Sequence, residues 1–214
     1  MIPSKDETIF SVILAAGKSQ RLGKPKSLLK INNDILINFL VKRLKNHNIT
    51  TIIVTREELI SEIKNLTEEV EIISNNNPES GRTGSLQVGL NFIIENYSKD
   101  FKALVVPVDR PGFSSSTLSK LISLDYTACP EKDGKGGHPL LLSKLDVKKI
   151  LNQNPATPLR DIIKPKKFEV MDDYLHLNID TEKDIPNLFQ FISSLQNEDN
   201  LECNIKQHQP NADN

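Results

Sequence analysis

Between Gly17 and Lys26 the chain reads GKSQRLGKPK, so two glycines, Ser19 and the four cations Lys18, Arg21, Lys24 and Lys26 fall within ten residues. Glycine leaves backbone amides open, serine offers a hydroxyl and the cations supply positive charge, a set of groups suited to a polyphosphate. Spacing excludes the two commonest loops of this kind. A dinucleotide-binding turn needs G-x-G-x-x-G, whereas Ser19 occupies the second glycine's place and the next glycine is Gly23. A P-loop needs four residues between its glycines and then Lys-Ser or Lys-Thr, whereas five intervene here and Pro25 follows Lys24.

The other residues able to do chemistry are acids and a histidine at the ends of apolar runs. Asp109 closes KALVVPV, the strongest strand pattern in the chain, and Pro111 enforces a turn just after it. Asp180 follows the apolar run Leu175 to Ile179, where with Thr181 it is also a good helix N-cap, Asp184 standing nearby as a capping-box acid. His138 precedes Pro139 in the glycine-rich turn EKDGKGGHP. A single histidine followed by proline in a glycine-rich turn is more often structural or substrate-positioning than a general base, so a binding role is assigned to His138. Gly81 and Ser85 stand in and just after the polar loop NNNPESGRTG, where amides at a helix start can meet a base or a phosphate.

These groups have to be positioned by an alternating chain. Phe10 to Leu14 is dense enough for a buried strand that stops at Ala15-Ala16-Gly17, and Asp34 is expected to cap a helix carrying Ile35, Leu36, Phe39, Leu40 and Leu44. Strands are predicted at Thr51–Thr55 and Val70–Ser74, helices at Glu57–Leu66, Ser85–Glu95 and Ser115–Leu124. Further strands are expected at Tyr126–Cys129 and Leu140–Leu142, a short helix across the site at Thr157–Ile163, and a terminal hairpin from Phe168–Met171 with Leu175–Ile179. The β-α-β-α-β order argues for a mostly parallel sheet with helices on both faces and a ligand crevice beyond the carboxyl ends of the strands. No repeat or linker divides the chain, so one domain is expected over residues 1–195, with a polar tail, 196–214, too polar to fold by itself.

The 214 residues, 37% of them hydrophobic, suffice for a buried core. With 27 basic and 28 acidic residues the net charge of -1 provides no global field for nucleic acid or an anionic membrane, so any anion site is local. The longest apolar runs fall far short of a membrane span and the N-terminus lacks a signal-peptide core, which makes the cytoplasm the expected location. Two cysteines, Cys129 and Cys203, suggest neither a disulfide framework nor a cysteine metal site.

The pattern L-A-A-G-x-S-x-R-x-G-x-x-K, from Leu14, Ala15, Ala16 and Gly17 through Ser19, Arg21 and Gly23 to Lys26, resembles the signature of the molybdenum cofactor nucleotidyltransferase-like (MobA-like) family. Gly81, Ser85, Leu86, Gly89 and Leu90 resemble the G-x-x-x-S-L-x-x-G-L element of its cytidylyltransferase branch, and Gly137-His138-Pro139 its G-H-P turn. Asp109-Arg110-Pro111 falls on the D-x-P turn, and Asn178 to Asp184 on D-x-D-T-x-x-D, with Asn178 replacing the first acid. Arg110 departs from the uncharged residue expected in that turn.

The resemblance implies a three-layer α/β/α Rossmann-like domain of the nucleotide-diphospho-sugar transferase type. It implies transfer of a nucleoside monophosphate from an NTP to a phosphorylated acceptor with release of pyrophosphate. CTP is favoured because guanylyltransferases usually read L-A-G-G; a molybdopterin-type pterin would be the acceptor and a molybdoenzyme would receive the product. Arg21 would hold the β- and γ-phosphates, Lys26 the α-phosphate, Asp109 and Asp180 a Mg²⁺ or Mn²⁺ ion, and His138 with Pro139 would border the acceptor. GTP-dependent and sugar-phosphate relatives are the nearest alternatives. A chaperone that binds nucleotide or cofactor without turnover is a different class, disfavoured because binding alone does not need Lys26, Asp109 and Asp180 together.

Overall fold

In the computed structural model, which describes residues 8–195, the first apolar run becomes the middle of a sheet. Strand β1 (Ile9–Leu14) is buried on both faces, as its uninterrupted apolar pattern requires. Its one polar interior residue, Ser11, is satisfied by a 2.8 Å hydrogen bond to the Thr51 hydroxyl of the neighbouring strand. A two-residue ladder follows, β2 (Lys30–Ile31) against β3 (Asp34–Ile35), and then α1 (Leu36–Lys45). The chain continues through β4 (Thr50–Thr55), α2 (Ile60–Leu66), β5 (Glu71–Ser74), α3 (Gly81–Asn96), β6 (Lys102–Pro107) and α4 (Ser115–Ile122). Its last part comprises β7 (Ala128–Lys132), β8 (Lys135–Gly136), β9 (Leu140–Leu142), α5 (Lys144–Leu151), α6 (Leu159–Ile162), β10 (Lys166–Glu169) and a helix over 185–195, here α7.

The main sheet runs in the order β5-β4-β1-β6-β9-β7-β10, with β8 paired to β7. The strands β5, β4, β1 and β6 are mutually parallel, β9 is antiparallel to both its neighbours, and β10 returns parallel to β7. The expected three-layer, mostly parallel Rossmann-like α/β/α architecture is therefore observed. One face of the sheet is covered by α1, α4 and α7 around Ile13, Ile53, Leu104 and Val106; the other by α3, α5 and α6 around Val12, Val54, Val105 and Leu142. Gly89 lets α3 lie close to the sheet, since a β-carbon there would stand 2.6 Å from Val12 Cγ1.

Several local expectations are corrected. Asp34 does not cap α1: it lies in β3, its carboxylate accepting from Ile35 N at 2.7 Å, Asn38 Nδ2 at 2.8 Å and Lys42 Nζ at 2.6 Å, and Ile35 precedes the helix without a side-chain cap. The third long helix starts four residues early, at Gly81, so Ser85 sits inside it rather than near its start. The terminal hairpin does not form. Residues 166–169 pair with β7 instead, while Leu175 sits in a turn over 173–176, its N donating to Asp172 O at 3.2 Å, and Leu177 and Ile179 follow it, buried against the core with no ladder partner among the described residues. The tail expectation for 196–214 lies outside the described residues.

Candidate active site

Four segments meet where the parallel strands end. The carbonyl of Leu14, the last residue of β1, accepts from Val108 N at 3.1 Å, and Ala15 N donates to Val54 O at 2.8 Å, so the signature loop leaves the sheet wedged between β6 and β4. Ser19 turns that loop with a φ of 51°, and its carbonyl accepts from Leu22 N and Gly23 N at 3.1 and 3.2 Å. The Ser19 hydroxyl accepts from Lys26 N at 3.2 Å, closing the loop on the lysine. Gly17, Ser19, Lys26, Ser27 and Asp109 line a small cavity of about 70 Å³ on the inner side of this turn. The Ser27 hydroxyl there is enclosed and has no partner among the described residues.

Asp109 lies two residues beyond β6, and its turn is held from outside. Arg43 of α1 donates to Pro111 O at 3.2 Å and to Phe113 O at 2.5 Å, with its guanidinium 4.5 Å from the Phe113 ring centroid. Asp109 does not cap α4, a task met by Ser114, whose hydroxyl accepts from Thr117 N. The peptide of Ile179 donates to Asp109 O at 3.0 Å and so lays the segment before α7 beside the same strand end. Asp184 accepts from Asp180 N at 2.9 Å and Thr181 N at 2.7 Å, completing a capping box that leaves the Asp180 carboxylate facing the crevice.

The consequence is an ion cluster built from residues 83 and 154 positions apart. Lys26 Nζ sits 3.1 Å from Asp109 Oδ2 and 2.6 Å from Asp180 Oδ1. Arg21 Nη2 reaches Asp180 Oδ2 at 3.1 Å, and Asn178, standing where an acid was expected, donates to the same oxygen at 2.7 Å. The Lys26 hydrogen bond is the main cause that holds the Asp180 carboxyl below the ordinary aspartate range, against the opposing effect of burial. Arg21 is mostly exposed, Lys26 mostly enclosed.

On the other face of the sheet, beyond β6 and β9, lies a cleft of about 660 Å³. Gly81, Arg82, Thr83, His138, Thr157 and Leu159 line it, above a floor that includes Val105, Pro107 and Leu140. The short helix α6 borders this cleft, as expected, and Thr83 Oγ1 donates to Thr157 O at 2.6 Å to hold that wall. Gly137 has no room for a side chain, because a β-carbon would stand 2.5 Å from Leu175 Cγ. Burial, followed by the charges of Arg82 and Arg110, pushes the His138 imidazole down to about 4, so it is neutral at physiological pH.

The structure thus brings Ser19, Arg21, Lys26, Asp109 and Asp180 together at one strand edge, with Gly81 and His138 lining the adjoining cleft, while Pro139 is buried and does not line it. Ser85 is placed differently: its buried hydroxyl donates to Gly81 O at 3.1 Å and accepts from Asn75 Nδ2 at 2.8 Å, and so orders the loop before α3. Residues that the sequence reading did not single out are Ser27 and Arg82. Arg82 had a signal, as a cation beside the Gly81 expected at the site; the enclosure of Ser27 had none.

A family profile described as the MobA-like NTP transferase domain matches residues 11–170. The chain belongs to this family. The matched region holds the signature loop, Asp109 and His138, while Asp180 lies beyond it. Among solved structures the chain is similar to the homologue of Mycobacterium tuberculosis rv0371c from Mycobacterium sp. strain JC1, with 21% identity, a TM-score of 0.71 and 87% and 98% of the two chains covered. It is similar also to Rv0371C of Mycobacterium tuberculosis H37Rv in complex with manganese, with 17% identity, a TM-score of 0.69 and coverage of 86% and 98%. A third is the molybdopterin-guanine dinucleotide biosynthesis protein A of Archaeoglobus fulgidus, with 17% identity, a TM-score of 0.61 and coverage of 86% and 98%. At these identities the likeness shows the nucleotidyltransferase fold. No helix among the described residues is long and apolar enough to cross a membrane.

Proposed function

We propose that this member of the family transfers a cytidine monophosphate unit from CTP to a phosphorylated, pterin-type acceptor such as molybdopterin or the molybdenum cofactor, with release of pyrophosphate. The observation that carries the proposal is the Lys26 ammonium held between Asp109 and Asp180 at the mouth of a small cavity lined by the signature loop. Lys26 and Arg21 together balance the two acids, a site suited to a triphosphate with a counter-cation, and a binding surface without turnover has no need of that pairing.

A divalent ion fits these residues. Asp109 and Asp180 already converge on one cation, and among the described residues no group of three or more His, Cys, Asp or Glu could hold a metal. Two carboxylates completed by phosphate oxygens and water suit Mg²⁺ or Mn²⁺. Such an ion would neutralise charge on the phosphates and on the departing pyrophosphate.

The chain's own groups position two anions. The backbone from Ala15 to Gly17 and the Ser19 turn cradle the triphosphate, Arg21 meets its β- and γ-phosphates, and Lys26 turns from the acids to the α-phosphate, where charge grows. An oxygen of the acceptor phosphate attacks the α-phosphorus in line; the bond from that phosphorus to the bridging oxygen breaks and its electrons leave with pyrophosphate. No proton needs to be removed from the attacking oxygen, which agrees with a neutral, enclosed His138 that positions rather than abstracts. Cytidine is favoured by Ala16, which stands where the guanylyltransferase signature has glycine.

The test is pyrophosphate release by the full chain with each of the four triphosphates and Mg²⁺ or Mn²⁺, with and without a molybdopterin-type acceptor. The expected result is release that needs CTP, metal and acceptor together. Release with GTP alone overturns the cytidine assignment, and tight CTP binding with no release under any combination overturns catalysis.

A further inference from the structure

Arg43, near the end of α1, joins the two segments that carry the acids of the ion cluster. It holds two carbonyls of the turn that follows Asp109, Pro111 O at 3.2 Å and Phe113 O at 2.5 Å. Its guanidinium also stands over three aromatic rings, 4.5 Å from the centroid of Phe113, 5.4 Å from that of Phe39 and 5.5 Å from that of Phe191. Phe113 belongs to the Asp109 turn, and Phe191 to α7, the helix into which Asp180 and its capping box lead. One cation is thus shared between the turn that carries the first acid and the helix behind the second.

The two segments meet again elsewhere along that turn. Ser114 N donates to Asp172 Oδ2 at 2.8 Å, and a β-carbon on Gly112 would stand 1.8 Å from Tyr174 O. Tyr174 in turn packs on Phe191, with ring centroids 5.6 Å apart. Residues 108–114 lie in no strand or helix, so contacts of this kind decide where the turn sits. We propose that Arg43 is a positioning residue for the two acids: by gripping the Asp109 turn and α7 together it sets the separation at which Asp109 and Asp180 face one divalent cation. This rests on the transfer reading above and adds to it a residue that touches neither substrate nor metal. Two carboxylates that face each other repel, so a loosened turn moves away from Asp180 and leaves one acid where the ion needs two. Two charge-assisted bonds from a planar fork fix the turn in direction as well as distance, which the single ammonium of a lysine does less well.

Amide hydrogen exchange of the full chain reads the tie between the segments. Ile179 N donates to Asp109 O, whereas Ala15 N donates to Val54 O, and both residues are buried, so the ratio of their exchange rates separates local loosening from global destabilisation. In Arg43→Gln the exchange of Ile179 relative to Ala15 is expected to rise about tenfold or more, with Arg43→Lys intermediate. Mn²⁺ affinity, measured with CTP present, is expected to fall about tenfold or more, while metal-free CTP binds the variant as it binds the parent. A parental ratio in Arg43→Gln, or in Arg43→Lys should Arg43→Gln not fold, overturns the proposal; so does a raised ratio with unchanged Mn²⁺ affinity. If the ratio rises but Mn²⁺ binds to neither protein, Arg43 still sets the spacing of the two segments and the metal-dependent transfer reading falls.

Discussion

Replacing Lys26 by methionine keeps the unbranched apolar stem and removes the ammonium with its two hydrogen bonds, which isolates what that group does between its two acids. Lys26, Asp109 and Asp180 have side chains 12%, 14% and 24% exposed, between the regime of surface pairs and that of buried ones. Exposed pairs contribute up to about 1 kcal/mol, and breaking a buried pair costs about 3 to 5, so a loss of about 2 kcal/mol is expected at neutral pH. The loss carries a pH signature. The folded-state pKa of Asp180 is depressed, chiefly by Lys26, so its contribution is fully present above the unfolded value of about 3.9 and is lost as pH falls through the folded value. The parent and Lys26→Met should therefore differ fully at pH 7 and converge below about pH 4, as read from urea midpoints at a series of pH values. The same about 2 kcal/mol should reappear as roughly thirtyfold tighter Mn²⁺ binding to the nucleotide-free variant, since the acids no longer hold an internal cation. Turnover should nevertheless fall by about two to three orders of magnitude. A variant with unchanged midpoint at pH 7 and unchanged Mn²⁺ affinity would refute the counter-ion argument, whatever its activity.

Three more outcomes follow from the same geometry. Asp180→Asn should leave the fold intact, weaken Mn²⁺ binding in the presence of CTP by about tenfold or more and raise the metal concentration needed for turnover, measured by metal titration of pyrophosphate release. The pKa of His138 is lowered to about 4, so the unfolded chain binds more protons between pH 6.5 and 4; stability should decline over that window by up to about 3 kcal/mol, and His138→Gln should flatten the decline. Gly89→Ala puts a β-carbon 2.6 Å from Val12 Cγ1 and 3.1 Å from Val54 Cγ2, and should cost about 1 to 3 kcal/mol in urea unfolding without changing the nucleotide preference.

The parts of the site legible in the sequence are those set by local rules. A buried strand followed by small residues and cations fixes where the signature loop leaves the sheet, and an acid placed just past the end of an apolar run must emerge at the same edge when the strands are parallel. Asp109 could be read this way because Val108 N meets Leu14 O and so aligns the ends of β6 and β1. The residues not legible depend on contacts between elements distant in sequence. Leu175, Leu177 and Ile179 alternate like a strand because alternate side chains are buried, yet burial does not specify a hydrogen-bonding partner, and residues 166–169 found theirs in β7. The polar run NNNPESGRTG places Ser85 at a helix start by pattern; in the fold the helix already begins at Gly81, and the Ser85 hydroxyl goes to Asn75 and Gly81.

The same packing explains how two acids can be held together before any substrate is present. Asp109 follows β6 and Asp180 precedes α7, and Ile179 N donates to Asp109 O, so their backbones hold the two carboxylates near each other despite their repulsion. Lys26, fastened by Ser19 and the loop turn, supplies the charge that makes this constraint tolerable, and Arg21 adds to it from solvent. In the proposed reaction a divalent cation entering with the triphosphate would be held by Asp109 and Asp180, leaving Lys26 to face a phosphate in place of two acids. Charge is redistributed rather than created, so the folded scaffold that is stable without ligand is already shaped for the charge that transfer develops. That link makes the Lys26→Met experiment decisive: loss of stability, gain of metal affinity and loss of turnover must arise together if one cluster serves all three.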